Sequence, residues 1–132
     1  MKGSCLCGAV QYEADQLDGP IVHCHCLTCR KAQAAAFATI GGVKREHFRW
    51  TKGEDRLSTY VSSPGKIRWF CSTCGSHLIA ERQDQPRVAI RVATLDEDPG
   101  SRPALRIWRS HDVPWLHDEA AVQSYEEWQP GR

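Results

Sequence analysis

Two cysteine pairs that lie far apart in the sequence constrain the fold of this chain most strongly. Each pair ends in a cysteine that is followed at once by glycine: Cys5-x-Cys7-Gly8 and Cys71-x-x-Cys74-Gly75. Four thiolates complete a tetrahedral zinc site, and a glycine after the last cysteine permits the positive φ that turns backbone N–H groups toward the sulfur atoms. We therefore expect a structural zinc site that joins distant strands, so that metal binding contributes to folding.

A second group of cysteines, Cys24, Cys26 and Cys29, forms a separate C-x-C-x-x-C run. Alternation along a strand places Cys24 and Cys26 on one face, and Cys29 returns from the first turn of a predicted helix, so the three thiols can converge on one ion. Three protein ligands leave one position open, which is typical of a catalytic zinc. An iron–sulfur cluster, buried structural thiols and a disulfide framework in an oxidising compartment are the alternatives. The same alternation puts His23 and His25 on the opposite face, at the surface or behind the ligands.

The length and charge of the chain exclude several classes of partner. Its 132 residues fit one domain over residues 1–132, and 17 Lys and Arg against 16 Asp and Glu give a formal net charge of +1. Such a balance creates no basic field for nucleic acid or an anionic membrane, so neither is expected as a partner. The amino terminus lacks the apolar segment of a signal peptide, and no apolar run reaches the length of a membrane span. We expect a cytoplasmic protein.

Alternating or β-rich segments, separated by turns rich in Gly, Pro and Asp, occupy most of the chain. The predicted strands are Ala9–Ala14, Pro20–His25, Ala36–Gly41, Glu46–Trp50, Leu57–Val61, Lys66–Phe70, His77–Glu81, Arg87–Ala93 and Ala104–Trp108. Good helix formers predict a helix over Leu27–Ala35, and Asp118 predicts the cap of a second one over Asp118–Glu126. The chain is therefore expected to be mainly β with short helices.

Three thiolates around one cation restrict the chemistry of the second cysteine group. Their charge makes the ion a poor Lewis acid for water, whereas a fourth soft ligand such as a substrate thiolate suits it. Cationic residues near the run could offset the charge of a small anionic thiol: Arg30, Lys31, Lys66 and Arg68. The residues thus favour an enzyme that activates a small thiol over a hydrolytic enzyme. A noncatalytic zinc module that binds a thiol, a metal or a protein partner is the alternative.

Three ordered motifs span most of the chain: Gly3-Ser4-Cys5-Leu6-Cys7-Gly8-Ala9-Val10, His23-Cys24-His25-Cys26-x-x-Cys29-Arg30-Lys31 and Arg68-Trp69-Phe70-Cys71-Ser72-Thr73-Cys74-Gly75-Ser76. Ile107-Trp108 and Pro114-Trp115 add a closing aromatic segment. Together they closely resemble the glutathione-dependent formaldehyde-activating family, which also includes centromere protein V. One stretch departs from the family pattern, because Gln33 and Ala34 stand where a hydroxyl residue and a glycine are common.

The resemblance implies a β-tent of stacked antiparallel sheets that is stapled by zinc, with two ions per chain. By motif, Cys5, Cys7, Cys71 and Cys74 would hold a structural zinc, and Cys24, Cys26 and Cys29 would hold a catalytic, more labile zinc. The implied reaction is the addition of glutathione sulfur to formaldehyde, which gives S-hydroxymethylglutathione and is a carbon–sulfur lyase reaction in the reverse sense. Because Gln33 and Ala34 could reshape the pocket, the thiol and the electrophile stay open.

Overall fold

The structure is a computed structural model that describes residues 1–116 and 119–131, and strands predominate in it. The strands are β1 (Lys2–Ser4), β2 (Gln11–Ala14), β3 (Ile21–Cys24), β4 (Ala38–Lys44), β5 (Phe48–Lys52), β6 (Leu57–Ser63), β7 (Lys66–Cys71), β8 (His77–Arg82), β9 (Arg87–Arg91) and β10 (Pro103–Ile107). One α-helix of the described residues, α1, spans Leu27–Gln33. Short 3-10 helices lie at Arg45–His47, Glu54–Arg56, Val92–Thr94, Arg109–His111 and Glu119–Ala121.

The strands form two sheets of different size. The smaller sheet has the order β1-β2-β5, and the larger has the order β10-β3-β4-β9-β8-β7-β6. Neighbouring strands are antiparallel, with the exception of β10, which runs parallel to β3. The predicted mainly β fold of stacked antiparallel sheets is confirmed, and the pair β10 and β3 makes the larger sheet mixed.

One face of the larger sheet packs on the smaller sheet and forms the apolar core. Val43 pairs with Val88 on the neighbouring strand, and Ile79 pairs with Ile90, so these side chains point to the same face. Tyr12 of β2 meets them there and is fully buried. Each buried aliphatic side chain contributes about 1.5 to 3 kcal/mol to folding, which makes this face the main apolar contact of the fold.

The opposite face of the larger sheet carries charged residues among small ones. Arg68 on β7 pairs with Ala80 on β8, and Ala80 pairs with Ala89 on β9. Arg91 lies two residues after Ala89 and therefore points to the same face as Arg68. The register of β9 with β4, and of β4 with β3, continues this face to Cys24 at the end of β3. The second cysteine group thus lies on the side of the sheet that faces away from the core.

The observed elements follow the predicted ones closely. Every predicted strand corresponds to an observed strand, with ends that differ by a few residues, whereas the three-residue strand β1 was not predicted. The helix predicted over Leu27–Ala35 ends earlier, at Gln33. The second predicted helix, Asp118–Glu126, is wrong for its described residues, which form only the 3-10 turn Glu119–Ala121; Asp118 lies outside them. No helix of the described chain is long and apolar enough to cross a membrane.

Candidate metal centres

The first candidate centre is the cluster of four cysteines that joins the two sheets. Cys5 and Cys7 lie in the turn between β1 and β2, whereas Cys71 ends β7 and Cys74 follows it in the next loop. The four Sγ atoms lie within 4.8 Å of one another. The distances from Cys7 Sγ to the Sγ atoms of Cys5 and Cys71 are 3.6 and 3.8 Å. A tetrahedral zinc with Zn–S bonds of about 2.3 Å separates its sulfurs by about 3.8 Å, so the cluster could hold a metal ion.

Backbone N–H and hydroxyl groups surround the sulfur atoms of the four-cysteine cluster, and both loop glycines have the positive φ that the sequence predicts. Gly8 and Gly75 have φ values of +74° and +78°. The N–H of Val10 donates to Cys5 Sγ at 3.3 Å. The hydroxyl of Ser76 lies 3.3 Å from Cys74 Sγ, and this contact is the main cause that lowers the pKa of Cys74 to about 5. At Cys74 these contacts thus favour the thiolate, which is the form that binds a metal.

The second candidate centre is the group of three cysteines around the start of α1. Cys24 ends β3, Cys26 is the N-cap of the helix and Cys29 lies in its first turn. The side chain of Cys26 accepts a hydrogen bond from the N–H of Cys29 at 3.3 Å. The structure brings the three Sγ atoms within 4.8 Å of one another, and no fourth His, Cys, Asp or Glu of the described chain joins them. Three sulfurs without a fourth protein ligand could hold a metal ion with one position left for another ligand.

Two buried arginines distinguish the surroundings of this second group. Arg68 and Arg91 are only 2% and 3% exposed, and the Nε and Nη1 atoms of both lack hydrogen-bond partners among the described residues. Burial of a cation is costly unless a negative charge compensates for it. Burial and the charge of Arg68 lower the pKa of Arg91 to about 10, and the three cysteines act in the opposite direction. The arginines therefore fit a cysteine group that carries negative charge.

The thiol of Cys26 responds to the same surroundings. Burial raises the pKa of Cys26. The N–H of Cys29, the thiols of Cys29 and Cys24 and the charge of Arg68 together outweigh burial and leave this pKa below its ordinary value. At Cys24 burial dominates and raises the pKa to about 12. Arg68 was predicted near the group, whereas Arg91 was missed. Its burial depends on how β9 aligns with β4 and β8, and the local sequence does not contain that register.

A buried histidine supports the loop that carries the three cysteines. His25 is fully buried, and its Nδ1 lies 2.8 Å from Asp112 Oδ1. The backbone N–H of His25 donates to the carbonyl of Ile107 at 3.0 Å, and the backbone carbonyl of His25 accepts a hydrogen bond from Arg30 Nε at 3.2 Å. Its ring also lies 5.0 Å from that of Phe37. The alternation in the sequence predicts that His25 points away from the sulfurs, and the structure agrees. The contacts of His25 fix the backbone between Cys24 and Cys26.

An open pocket of about 610 Å³ lies between α1 and the strands β6, β7 and β8. The polar and aromatic residues that line it are Thr28, Lys31, Tyr60, Ser62, Arg68, Phe70 and His77. The rings of Phe70 and His77 stack with their centroids 5.3 Å apart. Of the cations predicted near the cysteines, Arg68 lies in the wall, Lys31 is exposed on α1 and Lys66 is half-buried. Arg68 links the two features, because it lines the pocket and also lowers the pKa of Cys26.

The end of α1 shows what the unusual residue Ala34 does. Ala34 has φ +49° and ψ +45°, the left-handed conformation that glycine commonly provides after a helix. Its N–H closes the helix by donating toward the carbonyls of Arg30 and Lys31. An alanine pays about 1 to 2 kcal/mol for this conformation. Ala34 therefore holds a conformation that a glycine would adopt with less strain.

Comparisons with known proteins agree with this geometry. The sequence model for the family described as glutathione-dependent formaldehyde-activating enzyme matches residues 1–111. A crystal structure of a Rhodobacter sphaeroides protein superimposes with a TM-score of 0.65 at 31% sequence identity. The superposition covers 78% of this chain and 98% of that one. Both cysteine clusters lie within residues 1–111, which the family model matches.

Two relatives carry provisional names as glutathione-dependent formaldehyde-activating enzymes. A protein of Fusarium vanettenii is 34% identical over 80 residues, which are 58% of this chain and 42% of that protein. A protein of Halomonas elongata is 26% identical over an alignment that is 132 positions long. This alignment covers 93% of this chain and 83% of that protein. The chain thus matches less than half of the fungal protein's length and most of the bacterial one.

Proposed function

This chain belongs to the glutathione-dependent formaldehyde-activating enzyme family, and from that premise we propose that it is a zinc-dependent enzyme that activates a small thiol for addition to an aldehyde such as formaldehyde. The observation that carries the proposal is the group of three cysteines, which has no fourth protein ligand among the described residues and lies near a pocket. The whole chain, residues 1–132, acts as one domain in this proposal. Glutathione is the first thiol to test, because the family name includes it.

The two cysteine groups receive different roles in the proposal. Cys5, Cys7, Cys71 and Cys74 hold a structural zinc, and Cys24, Cys26 and Cys29 hold a labile zinc where the reaction occurs. The sulfur spacing and the loop glycines support the first assignment, while the buried arginines and the pocket support the second. Closed four-ligand sites are structural and open three-ligand sites are catalytic in other zinc proteins.

The reaction needs a deprotonated sulfur beside an electrophilic carbon. A zinc ion on the three cysteines would favour the thiolate of a bound substrate thiol and hold it in place. The substrate sulfur then forms a bond to the carbonyl carbon, and the carbonyl oxygen takes up a proton, which gives the S-hydroxymethyl product; breakage of the same bond is the lyase direction. Arg68 and Arg91 offset the negative charge that collects on the sulfurs, and His25 keeps the loop between Cys24 and Cys26 fixed.

Cobalt substitution tests this proposal directly. We expect glutathione to change the sulfur-to-metal charge-transfer absorption of the cobalt protein, and we expect Cys26→Ser to abolish the change. Exchange spectroscopy measures how fast formaldehyde plus glutathione converts to the S-hydroxymethyl product and back. We expect this exchange to be faster with the zinc-loaded wild type than with Cys26→Ser. Arg102→Gln is the matched control, because Arg102 is exposed and pairs with Asp98.

The outcomes separate the activity from the binding function. If glutathione and other small thiols leave the cobalt spectrum unchanged, the chain is a noncatalytic zinc module and the enzyme proposal is wrong. If thiols change the spectrum but do not accelerate the reaction, the thiol site is retained and formaldehyde is rejected as the substrate. A rate that is equal in wild type and Cys26→Ser would also reject the proposed catalytic role of the three cysteines.

A further inference from the structure

The pocket near the three cysteines is lined by a buried cation, Arg68. Arg68 is 2% exposed, and its Nε and Nη1 atoms make no hydrogen bonds to the described residues. Arg68 nevertheless lines the pocket, so a molecule bound there lies against its side chain. A guanidinium presents a planar fork of donors that matches the two oxygens of a carboxylate. We propose that Arg68 binds a carboxylate of the substrate thiol and thereby selects anionic thiols; this rests on the proposed function.

The other groups of the pocket fit the same ligand. Lys31 adds a second cation from the exposed side of α1, and Ser62 has a buried hydroxyl without a partner in the described chain. No Asp or Glu is among the described lining residues, so nothing there would repel a carboxylate. Phe70 and Leu27 provide apolar surface for the carbon chain that connects the carboxylate to the sulfur.

His77 adds a polar group without adding charge. Burial and the charges of Arg91 and Arg68 lower the pKa of His77, so its ring is neutral at pH 7. Its Nδ1 is buried and has no hydrogen-bond partner in the residues that the structure describes. A neutral ring can donate one hydrogen bond to a carboxylate oxygen, which the fork of Arg68 leaves with unused lone pairs.

The charges near the three cysteines favour an anionic ligand. With a divalent cation bound, three thiolates would leave one net negative charge, and Arg68 and Arg91 together carry two positive charges. Half-buried Lys66, whose charge interacts with Cys29, and exposed Lys31 add positive charge, so the site would attract both the thiolate and a carboxylate of a substrate. The two arginines therefore have different tasks: Arg91 does not line the pocket and compensates the sulfurs, whereas Arg68 also faces the ligand.

Two thiols that differ only in charge isolate the contribution of Arg68. Isothermal calorimetry on the zinc-loaded protein compares 3-mercaptopropionate with 3-mercaptopropionamide, and the cobalt spectrum records whether each thiol binds through sulfur. We expect wild type to bind the acid at least about tenfold more tightly, since a charge-assisted hydrogen bond contributes that much or more. Arg68→Gln should bring the ratio close to one while amide binding changes little, and Arg68→Lys should keep part of the preference.

Controls keep the result decisive if a change at the buried Arg68 prevents folding. Lys31→Gln changes an exposed side chain and should lower the preference for the acid about threefold, whereas Arg102→Gln, which changes a remote surface arginine, should leave it unchanged. Equal affinities of the acid and the amide in wild type would overturn the role of Arg68 and retain the thiol site. If neither thiol changes the cobalt spectrum, the proposed function fails as well. A preference that survives in a folded Arg68→Gln would also overturn the inference.

Discussion

The two cysteine groups use the same side chain in opposite surroundings. Cys5 and Cys71 belong to the apolar core between the sheets, and their cluster collects loops that are distant in sequence. The three-cysteine group comes from one strand, one turn and one helix, and the buried arginines Arg68 and Arg91 lie on its side of the larger sheet. We propose that the surroundings, more than the ligand type, distinguish a site that supports folding from a site that supports chemistry.

Removal of one sulfur from each group should give the largest difference between them. Because structural zinc contributes on the order of 10 kcal/mol to small zinc domains, Cys71→Ser is expected to yield insoluble or molten protein. Cys26→Ser is expected to remain folded, since its group lies outside the main core. Thermal melts followed by circular dichroism measure both variants. Equal destabilisation by the two substitutions would remove the division between a structural and a reactive site.

Metal content should separate the groups by how firmly they hold an ion. Protein prepared without chelators and supplemented with zinc is expected to contain about two ions per chain, and Cys26→Ser about one. A mild chelator should first remove about one ion and abolish thiol binding while the folded spectrum persists, because three ligands hold an ion less firmly than four. Metal analysis after timed dialysis checks this. A reproducible wild-type value near one would leave the second metal site unsupported.

A glycine next to the four-cysteine loop tests how tightly that region is packed. Gly53 has a φ of +70°, and a Cβ built there would overlap the carbonyl oxygen of Ala9, just after Cys7 and Gly8. Gly53→Ala is therefore expected to destabilise the protein by about 3 kcal/mol. Gly65→Ala is the matched control, because its φ is +72° and the space is open, so only about 1 kcal/mol of backbone strain is expected. Similar urea midpoints for the two variants would show that the Cys7 loop can move aside.

The smallest expected effect is a gain in stability near the three-cysteine group. Ala34 holds a left-handed conformation at the end of α1, so Ala34→Gly should stabilise the protein by about 0.5 to 1 kcal/mol after the extra chain entropy of glycine is included. Ala32→Gly, two residues earlier and inside the helix, should destabilise it by about 1 kcal/mol. Urea unfolding of both variants gives the sign. A destabilising Ala34→Gly would mean that the methyl group of Ala34 makes contacts that outweigh the strain.

The sequence predicts the cysteine groups better than it predicts what surrounds them. The convergence of Cys24 and Cys26 follows from strand alternation, and the positive φ of Gly8 follows from the demands of a tight loop, so short-range rules suffice for both. The burial of Arg91 and the contact between His25 and Asp112 depend on which strands become neighbours. Strand order and register arise from packing across the whole chain, and a local pattern therefore contains no record of them.

The parallel pairing of β10 with β3 has a consequence for the order in which the protein is made. A ribosome adds Cys29 long before it adds Ile107. The carbonyl of Ile107 accepts a hydrogen bond from the backbone N–H of His25, next to the cysteines. During that interval the three thiols already exist, but their outer neighbour strand does not, and exposed thiols react with oxidants according to their access. The protection of the newly made cysteines therefore depends on the reducing capacity of the surroundings until the last strand arrives.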